Sequence, residues 1–505
     1  MKKKIINIKS LSIIRKKEHN KKIVLVHGVF DVLHLGHINY FKKAKLYGDI
    51  LAVSVTSDRY VNKGLNRPYF KENLRMDLLS ELSLVDYVVL SDAPSSVKII
   101  KSLKPNYYVK GPDYKIKEND KAGNLDYEQR EVENNKGELR FTAGEILSST
   151  KILNHNIYKF KVLTLIKKEN KLSNINVQKL YNEYQYSLKK IKNEKILIIG
   201  ETILDNYFYA EPLGMPSKES IISVQFQKQK NFVGGALPVA LTISELCENV
   251  TYLSFFNKKS LKNKIINFSN KINFKLFYES KYEDINKNRF IDLNTKKKFF
   301  KFYNFNNREF YNDSLRKYLN SNIKKFDKVI ACDFGHGLFN KKIVNIIQNK
   351  SKLLYLNVQT NSGNRGYNLF NKYDKADLLV LDEPEIRLGL QDRYSDLSNI
   401  FTRNDLKSFK NLIITRGIKG LAVKDNKLKR KFLNFHALNV NAIDTMGAGD
   451  AAFSYACMFL NHSKNKFLTG LLSSIAGAIK TTIVGHESIV NCKDVEKTFE
   501  SIIKN

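Results

Sequence analysis

His27-Gly28-Val29-Phe30-Asp31-Val32-Leu33-His34-Leu35-Gly36-His37 follows the apolar run Ile23-Val24-Leu25-Val26 and precedes the segment Ile38 to Lys45. The run reads as a buried parallel strand and the later segment as a helix, so the stretch spans a strand–loop–helix junction. A helix N-terminus offers unpaired backbone N–H groups and the positive end of a dipole, which suits phosphate. Gly28 and Gly36 allow close approach of the backbone. His34 and His37, three residues apart, turn both imidazoles toward one phosphate if the first helical turn begins there. A histidine pair at a helix start, taken alone, is more often a cap or a core pair.

The full pattern changes that balance. Gly28-x-Phe30-Asp31-x-x-His34-x-Gly36-His37 resembles the signature of the cytidylyltransferase-like family. The resemblance implies a Rossmann-like domain in which His34 and His37 stabilise phosphate charge. An acceptor phosphate oxygen attacks the α-phosphorus of a nucleotide, and pyrophosphate leaves. Gly28, Phe30, Asp31 and Gly36 would shape the nucleotide site. No covalent enzyme intermediate is implied; the demand is positioning and charge neutralisation, met by His, Lys, Arg, backbone N–H groups and an inferred Mg2+.

Later segments fit the same resemblance in chain order. Ser54-Val55-Thr56-Ser57-Asp58 closes a strand from Leu51 to Val55, and Lys63-Gly64 and Arg67-Pro68 follow. Glu72-Asn73-Leu74-Arg75 opens a helix from which Arg75 is expected to reach phosphate. Val109-Lys110-Gly111-Pro112-Asp113-Tyr114 is similar to the Lys-Gly-Gly-Asp-Tyr segment of sugar-phosphate adenylyltransferases that make ADP-heptose, with Pro112 in place of a glycine. Lys110 is therefore a phosphate-binding candidate. Ser148-Ser149-Thr150-Lys151 resembles the stretch opening that family's last helix, so Ser148, Ser149 and Thr150 are further candidates for nucleotide phosphates. Each short segment also reads as an ordinary loop or cap.

A length of 505 residues predicts more than one domain. The expected division is a nucleotidyltransferase domain over 1–153, a helical linker over 154–192 and a second α/β domain over 193–505. The linker is rich in Lys and Asn, with helical apolar spacing at Val177, Leu180, Tyr181 and Tyr184. Beyond it, Lys195-Ile196-Leu197-Ile198-Ile199-Gly200 begins a new buried strand, and strand and helix patterns alternate thereafter.

The second domain's decisive motif is Asn441-Ala442-Ile443-Asp444-Thr445-Met446-Gly447-Ala448-Gly449-Asp450-Ala451-Ala452-Phe453. It resembles the C-terminal signature of the ribokinase-like (PfkB) carbohydrate kinases. Its glycines expose backbone N–H groups at the start of a helix expected over Ala451–Leu460, forming an anion hole for a phosphoryl group in flight. The resemblance makes Asp450 the base that accepts the sugar hydroxyl proton, with Asp444, Thr445, Gly447, Ala448 and Gly449 around the phosphates.

Other segments follow the same family. Gly200-Glu201-Thr202-Ile203-Leu204-Asp205-Asn206-Tyr207 resembles the opening of the heptose-phosphate kinases and makes Asp205 a sugar ligand. Gly234 and Gly235 match a glycine pair on the sugar side, whereas Pro238 stands where an Asn usually contacts the sugar. Asp333, in Asp333-Phe334-Gly335-His336-Gly337, is a strand-end candidate for substrate. Asp382-Glu383-Pro384-Glu385 resembles the family's Asn-x-x-Glu near metal-bound phosphates; Glu385 matches, acting on metal through phosphate or water, and Asp382 departs. Thr415, Gly417 and Gly420 belong to a loop expected beside the nucleotide, and Gly485-His486 to the border of the adenine pocket.

Composition raises a different partner, because 85 Lys+Arg against 50 Asp+Glu give a formal net charge of +35. Such an excess suits nucleic acid or an anionic membrane. Here the basic residues are dispersed and accompanied by abundant Asn and Ile, with no nucleic-acid module, so no specific nucleic acid is expected. Ile5 to Ile14 is too short and too interrupted for a signal sequence, and Leu468 to Ile479 is too short to span a membrane. Cys247, Cys332, Cys457 and Cys492 have no metal-like spacing, and a cytoplasmic setting is expected.

Both halves together resemble the bifunctional enzymes of ADP-heptose synthesis, with the domain order reversed. The expectation is ATP-dependent phosphorylation of a sugar or sugar phosphate, then nucleotidyl transfer to the product's phosphate with ATP or CTP. The alternative is a CTP-dependent cytidylyltransferase of a phosphorylated alcohol joined to an independent or silent kinase module. Homo-oligomerisation is left open.

Overall fold

Within the first strand of the long motif, Val24 and Val26 face one way, and Ile23 and Leu25 the other, as the two-residue period of a strand requires. In the computed structural model both pairs are fully buried. The structure describes residues 4–61, 68–111, 124–142, 166, 169–170, 175–214, 222–257, 263, 265–293, 298–305, 309–439, 442–463 and 466–503. Two units are resolved, 1–161 with 505 and 162–504, and each is described by itself.

In the first unit the strands are β1 (Ile5–Ile6), β2 (Ile23–Gly28), β3 (Ile50–Thr56), β4 (Tyr87–Ser91), β5 (Tyr107–Lys110) and β6 (Glu138–Phe141). They form one sheet in the order β1-β4-β3-β2-β5-β6, with every pairing parallel. Val24 and Val26 pack with Phe41 and Ala44 of helix Leu35–Lys45 and with Met76 and Leu79 of helix Glu72–Ser80. Ile23 and Leu25 pack on the opposite face with Leu11, Ile99, Ile100 and Val132, from helices Ile8–Lys17, Val97–Leu103 and Leu125–Asn134. Covering both faces is what an all-parallel sheet needs. The chain runs from β2 through β3 to β4 in one direction and adds β5 and β6 on the other side of β2. The topology thus reverses between β2 and β5, and ligand crevices form beyond the carboxyl ends of strands at such a point. The histidine motif leaves β2 there, and Lys110 ends β5 there.

The second unit contains a nine-stranded sheet and a four-stranded one. The larger is built from β7 (Lys195–Gly200), β10 (Asn249–Phe256), β11 (Ile272–Tyr278), β14 (Lys328–Asp333), β15 (Leu354–Val358), β16 (Ala376–Asp382), β17 (Phe409–Thr415), β18 (Leu421–Lys424) and β19 (Phe432–Phe435). Its order is β11-β10-β7-β14-β15-β16-β17-β18-β19, parallel except for the final two, which pair antiparallel. The smaller sheet is β13-β12-β8-β9, from β8 (Thr202–Gly214), β9 (Ser223–Gly235), β12 (Ile285–Asp292) and β13 (Lys298–Asn304). Helix Ala448–Phe459 is buried at every residue from Ala451 onward. It packs on helix Lys466–Lys480, the apolar stretch that the sequence marked as too short for a membrane. Among the described residues no helix is long and apolar enough to cross a membrane.

Part of the expected linker over 154–192 is described, and it includes one long helix. Helix Val177–Ile191 buries Leu180, Tyr184 and Ile191 within the second unit. Tyr184 stacks on Phe459 with ring centroids 5.7 Å apart and meets Phe499 at 4.8 Å, so this amphipathic face belongs to the kinase-like unit's core.

Candidate active sites

In the first unit the signature residues work as interlocking pieces of one loop. Phe30 has φ 49, in the left-handed region, and its buried ring meets His37 edge-on at 5.6 Å and Phe41 at 5.2 Å. A Cβ on residue 28 would sit 3.0 Å from that ring, which is why glycine stands there. His34 is the N-cap of helix Leu35–Lys45, and its Nδ1 accepts from the Gly36 backbone N–H at 3.0 Å. In the neutral ring the proton therefore resides on Nε2. The His34 and His37 rings lie 4.0 Å apart, inclined at 31°. Buried Asp31 accepts from the Phe70 N–H at 2.9 Å, tying the loop to the approach to helix Glu72–Ser80.

Arg75, expected to reach phosphate, is held within the fold. Its guanidinium is 1% exposed and donates to Phe70 O, Val29 O, Thr56 O and Asp58 Oδ1. These bonds make it a brace for the loop rather than an arm toward phosphate. Lys110 is likewise engaged: its buried ammonium pairs with Glu128 at 2.9 Å. Glu128 also accepts from the Ser96 N–H at 2.9 Å, Ser96 Oγ at 2.8 Å and the Tyr108 hydroxyl at 2.9 Å. Burial pushes Glu128 up, but Lys110, His27 and Ser96 prevail and hold its pKa at about 2. Burial, with Lys110 nearby, lowers His27 to about 4. Ser148, Ser149 and Thr150, with Lys63, Gly64, Arg67, Pro112, Asp113, Tyr114 and Lys151, lie outside the described residues.

In the second unit a cavity of about 460 Å³ gathers residues from distant parts of the sequence. Thr445, Gly447, Ala448, Gly449 and Asp450 form one wall at the start of helix Ala448–Phe459. Glu385 joins them, as do Thr415 at the end of β17 and Gly417 and Gly420 just after it. Gly447 occupies the N-cap with φ 74, and no side chain caps this helix. Asp450 sits in the first turn, where the dipole favours its anion. Loss of hydration outweighs that and raises Asp450 to about 6, against the hydrogen bond from Gln359 Nε2, 2.7 Å from Oδ1. Lys480, 3% exposed, faces Asp444 and Asp450, and its ammonium donates to Gly485 O at 2.5 Å.

Glu385 has a structural task as well. Oε2 accepts from the Asp382 N–H at 2.8 Å in a capping box, and Oε1 accepts from the Thr360 N–H at 2.9 Å. Burial raises its pKa to about 7. Asp444 supports the loop rather than lining the cavity. Oδ2 accepts from the Gly485 N–H at 3.0 Å, and Oδ1 from the Met446 N–H and Lys298 Nζ, both at 3.2 Å.

Asp205 occupies a separate buried cluster. It accepts from Arg289, and its Oδ2 lies 3.6 Å from His486 Nε2, with Gly234 alongside. Gly235 pairs with Thr202 at the base of the small sheet. His486 thus stands beside Asp205 with its ring also close to Gly447 on the cavity wall, and burial lowers its pKa to about 4. The Asp333 carboxylate, expected to meet substrate, is bound within the fold. It accepts from the Gly335 N–H at 3.0 Å, Asn368 Nδ2 at 3.2 Å and the Tyr373 hydroxyl at 2.8 Å, and pairs with Lys372 at 2.5 Å. Neighbouring Glu201 is fully buried and accepts from the Phe334 and His336 N–H groups. Burial and then Asp333 raise Glu201 to about 7.

Sequence reasoning missed Gln359, Lys480, Arg289, Glu201 and Glu128. Gln359 carried one usable signal, its place just past the carboxyl end of a parallel strand. Lys480 closes an apolar helix, and only the fold brings it to the glycine loop.

Comparison with known proteins finds two families along the chain. The cytidylyltransferase-like family description matches residues 25–175. Bifunctional protein HldE of Helicobacter pylori (strain Shi470) is 49% identical over 102 residues, 20% of this chain and 22% of that protein. Bifunctional protein HldE of Geobacter metallireducens is 44% identical over 115 residues, 22% of this chain and 24% of that protein. The matches thus span less than a quarter of those relatives' lengths. Among solved structures, Thermotoga maritima ribokinase is 17% identical, covering 62% of this chain and 100% of its own, with a TM-score of 0.47. Phosphofructokinase-2 of Escherichia coli is 11% identical, covering 61% and 99%, with a TM-score of 0.49. The pfkB family carbohydrate kinase description matches residues 193–454, more than half of the 505, and the chain belongs to that family.

Proposed function

We propose that the chain carries out two successive transfers. Its second unit phosphorylates a sugar or sugar phosphate with ATP, and its first unit joins the resulting phosphate to a nucleotide, releasing pyrophosphate and yielding an NDP-sugar of the ADP-heptose type. The observation that carries this reading is Asp450, held in the first turn of an uncapped helix on the wall of a cavity and poised near pH 6. Asp450 takes the acceptor hydroxyl proton while the N–H groups of the Gly447–Gly449 turn receive the phosphoryl charge. Asp205 orients the sugar from its cluster with Arg289 and His486. In the first unit, His34 and His37 neutralise charge as the new phosphate attacks the nucleotide's α-phosphorus.

Among the described residues no group of three His, Cys, Asp or Glu is arranged to hold a metal ion. Glu385, on the cavity wall, would reach a Mg2+ carried on nucleotide phosphates through water or phosphate. Such an ion supplies charge neutralisation at the phosphates. Reduced cytoplasm, where nucleoside triphosphates abound, is the setting proposed for this chemistry.

Mass spectrometry of products from a panel of heptose and hexose phosphates, offered with ATP or CTP, tests both steps together. The expected products are a doubly phosphorylated or newly phosphorylated sugar and an ADP-sugar. Pyrophosphate release with CTP alone would overturn the ADP-sugar assignment in favour of cytidylyl transfer.

A further inference from the structure

Gln359 stands one residue beyond β15, and its side-chain amide is fixed on both sides. Nε2 donates to Asn357 Oδ1 at 2.7 Å and to Asp450 Oδ1 at 2.7 Å. An amide nitrogen carries two hydrogens, so both are committed and the group faces Asp450 only as a donor. The mounting is rigid. Asn357 Nδ2 donates to Val380 O at 2.9 Å, and the Gln359 backbone N–H donates to Asp333 O at 2.8 Å. Three adjacent strands, β14, β15 and β16, therefore hold one donor against one oxygen of the base.

We propose that Gln359 is a positioning residue for phosphoryl transfer: it clamps Oδ1 of Asp450, leaves Oδ2 for the acceptor hydroxyl, and sustains the ionised base. This rests on the reading of Asp450 as that base. In the step it serves, the hydroxyl proton passes to Oδ2 as the acceptor oxygen bonds to the γ-phosphorus of ATP. The bond to the β,γ-bridging oxygen breaks, and its electron pair leaves with ADP.

The electrostatic surroundings support the same role. Asp450 faces Lys287 on β12 and Lys480 on helix Lys466–Lys480, which favour its anion, and Asp205 on β8, which opposes it. Glu385 on helix Glu383–Leu390 and Cys332 on β14 also face it. Burial raises the carboxyl to about 6, and the hydrogen bond from Gln359 is the largest influence holding it down, ahead of either lysine. A donor lost from a carboxylate favours the protonated form.

The test uses the full chain carrying Gln359→Met, close in size but without a donor, and Gln359→Lys, which restores a donor at similar reach. Carboxyl 13C NMR, with the Asp450 signal assigned from its loss in Asp450→Asn, reads the base directly without any acceptor. In Gln359→Met its midpoint is expected to rise by about one pH unit, the equivalent of one hydrogen bond. With the fastest acceptor from the sugar-phosphate panel, kcat is expected to fall about tenfold. The KM for ATP stays within about twofold, since only the transfer step loses the contact. In Gln359→Lys the midpoint returns to the wild-type value or below it. An unchanged midpoint and pH profile in Gln359→Met overturns the proposal, even if Asp450→Asn is inactive. Full kinase activity in Asp450→Asn instead overturns the assignment of the base, and the role of Gln359 falls with it.

Discussion

Two helix N-termini are proposed to handle phosphate in this chain, and they are finished differently. Helix Leu35–Lys45 is capped by a side chain, His34, whose ring accepts from the Gly36 N–H. Helix Ala448–Phe459 begins at Gly447 with no side-chain cap and carries a carboxylate in its first turn. The chemistry proposed for each explains the contrast. A phosphate nucleophile is already anionic and needs its charge screened, which imidazoles can do. A sugar hydroxyl must lose a proton, which calls for a base, while bare N–H groups take the phosphoryl charge.

The largest expected effect breaks the second site alone. Asp450→Asn should lower sugar phosphorylation by about 10²–10⁴-fold, the usual range for a general base. Pyrophosphate release from an acceptor supplied already phosphorylated should be unchanged. The wild-type pH profile adds a sign: the base must be ionised, so kcat/KM for phosphorylation should fall about tenfold per pH unit below about 6 and level off above it. A flat profile from pH 5 to 8 would remove Asp450 from that role.

The converse experiment acts on the first site. His34→Ala and His37→Ala should each slow pyrophosphate release by about 10²–10³-fold, as loss of one transition-state donor does elsewhere. ADP formation by the kinase step should persist in both. Equal losses in the two assays would mean that the sites do not work independently, and the contrast between them would fail.

What could be read from the sequence follows from how local each feature is. The strand–loop–helix junction, the strands Ile23–Gly28 and Ile50–Thr56, and the wall from Thr445 to Asp450 are encoded by neighbouring residues. Phe30 was legible as a motif residue but not as a wedge with positive φ, because that geometry depends on the space left by Gly28 and the edge of His37. Arg75 and Asp333 share a feature that neighbouring residues do not reveal. Their residue types suit ligands, but their partners are carbonyls and side chains supplied by other parts of the fold. Gln359 and Lys480 were invisible because each meets Asp450 or Asp444 across roughly 30 to 90 positions of sequence.

The remaining effect is on stability rather than rate, at the edge of the first site, where a buried ion pair lies beside the motif. Glu128 has a folded pKa of about 2 against an ordinary 4.5, so its ionised form is favoured in the folded state. The sign follows from linkage: the stabilisation is complete above about 4.5 and is lost as pH falls through 2. A shift of that size corresponds to roughly 3 kcal/mol. Glu128→Gln removes a charge that compensates Lys110, and breaking a buried pair costs about 3–5 kcal/mol. Hydrogen exchange along β5, which carries Tyr108 and Lys110, should therefore quicken in the variant at pH 7. The difference from wild type should shrink as pH is lowered from 4.5 toward 2, because the unfolded chain's carboxylate takes up its proton over that range while the folded one stays ionised, so folding must give the proton up. A difference that stays constant over that range would mean that shape and hydrogen bonding, rather than charge, hold Glu128 in place, and that the first site relies on its two imidazoles without an ion pair beneath them.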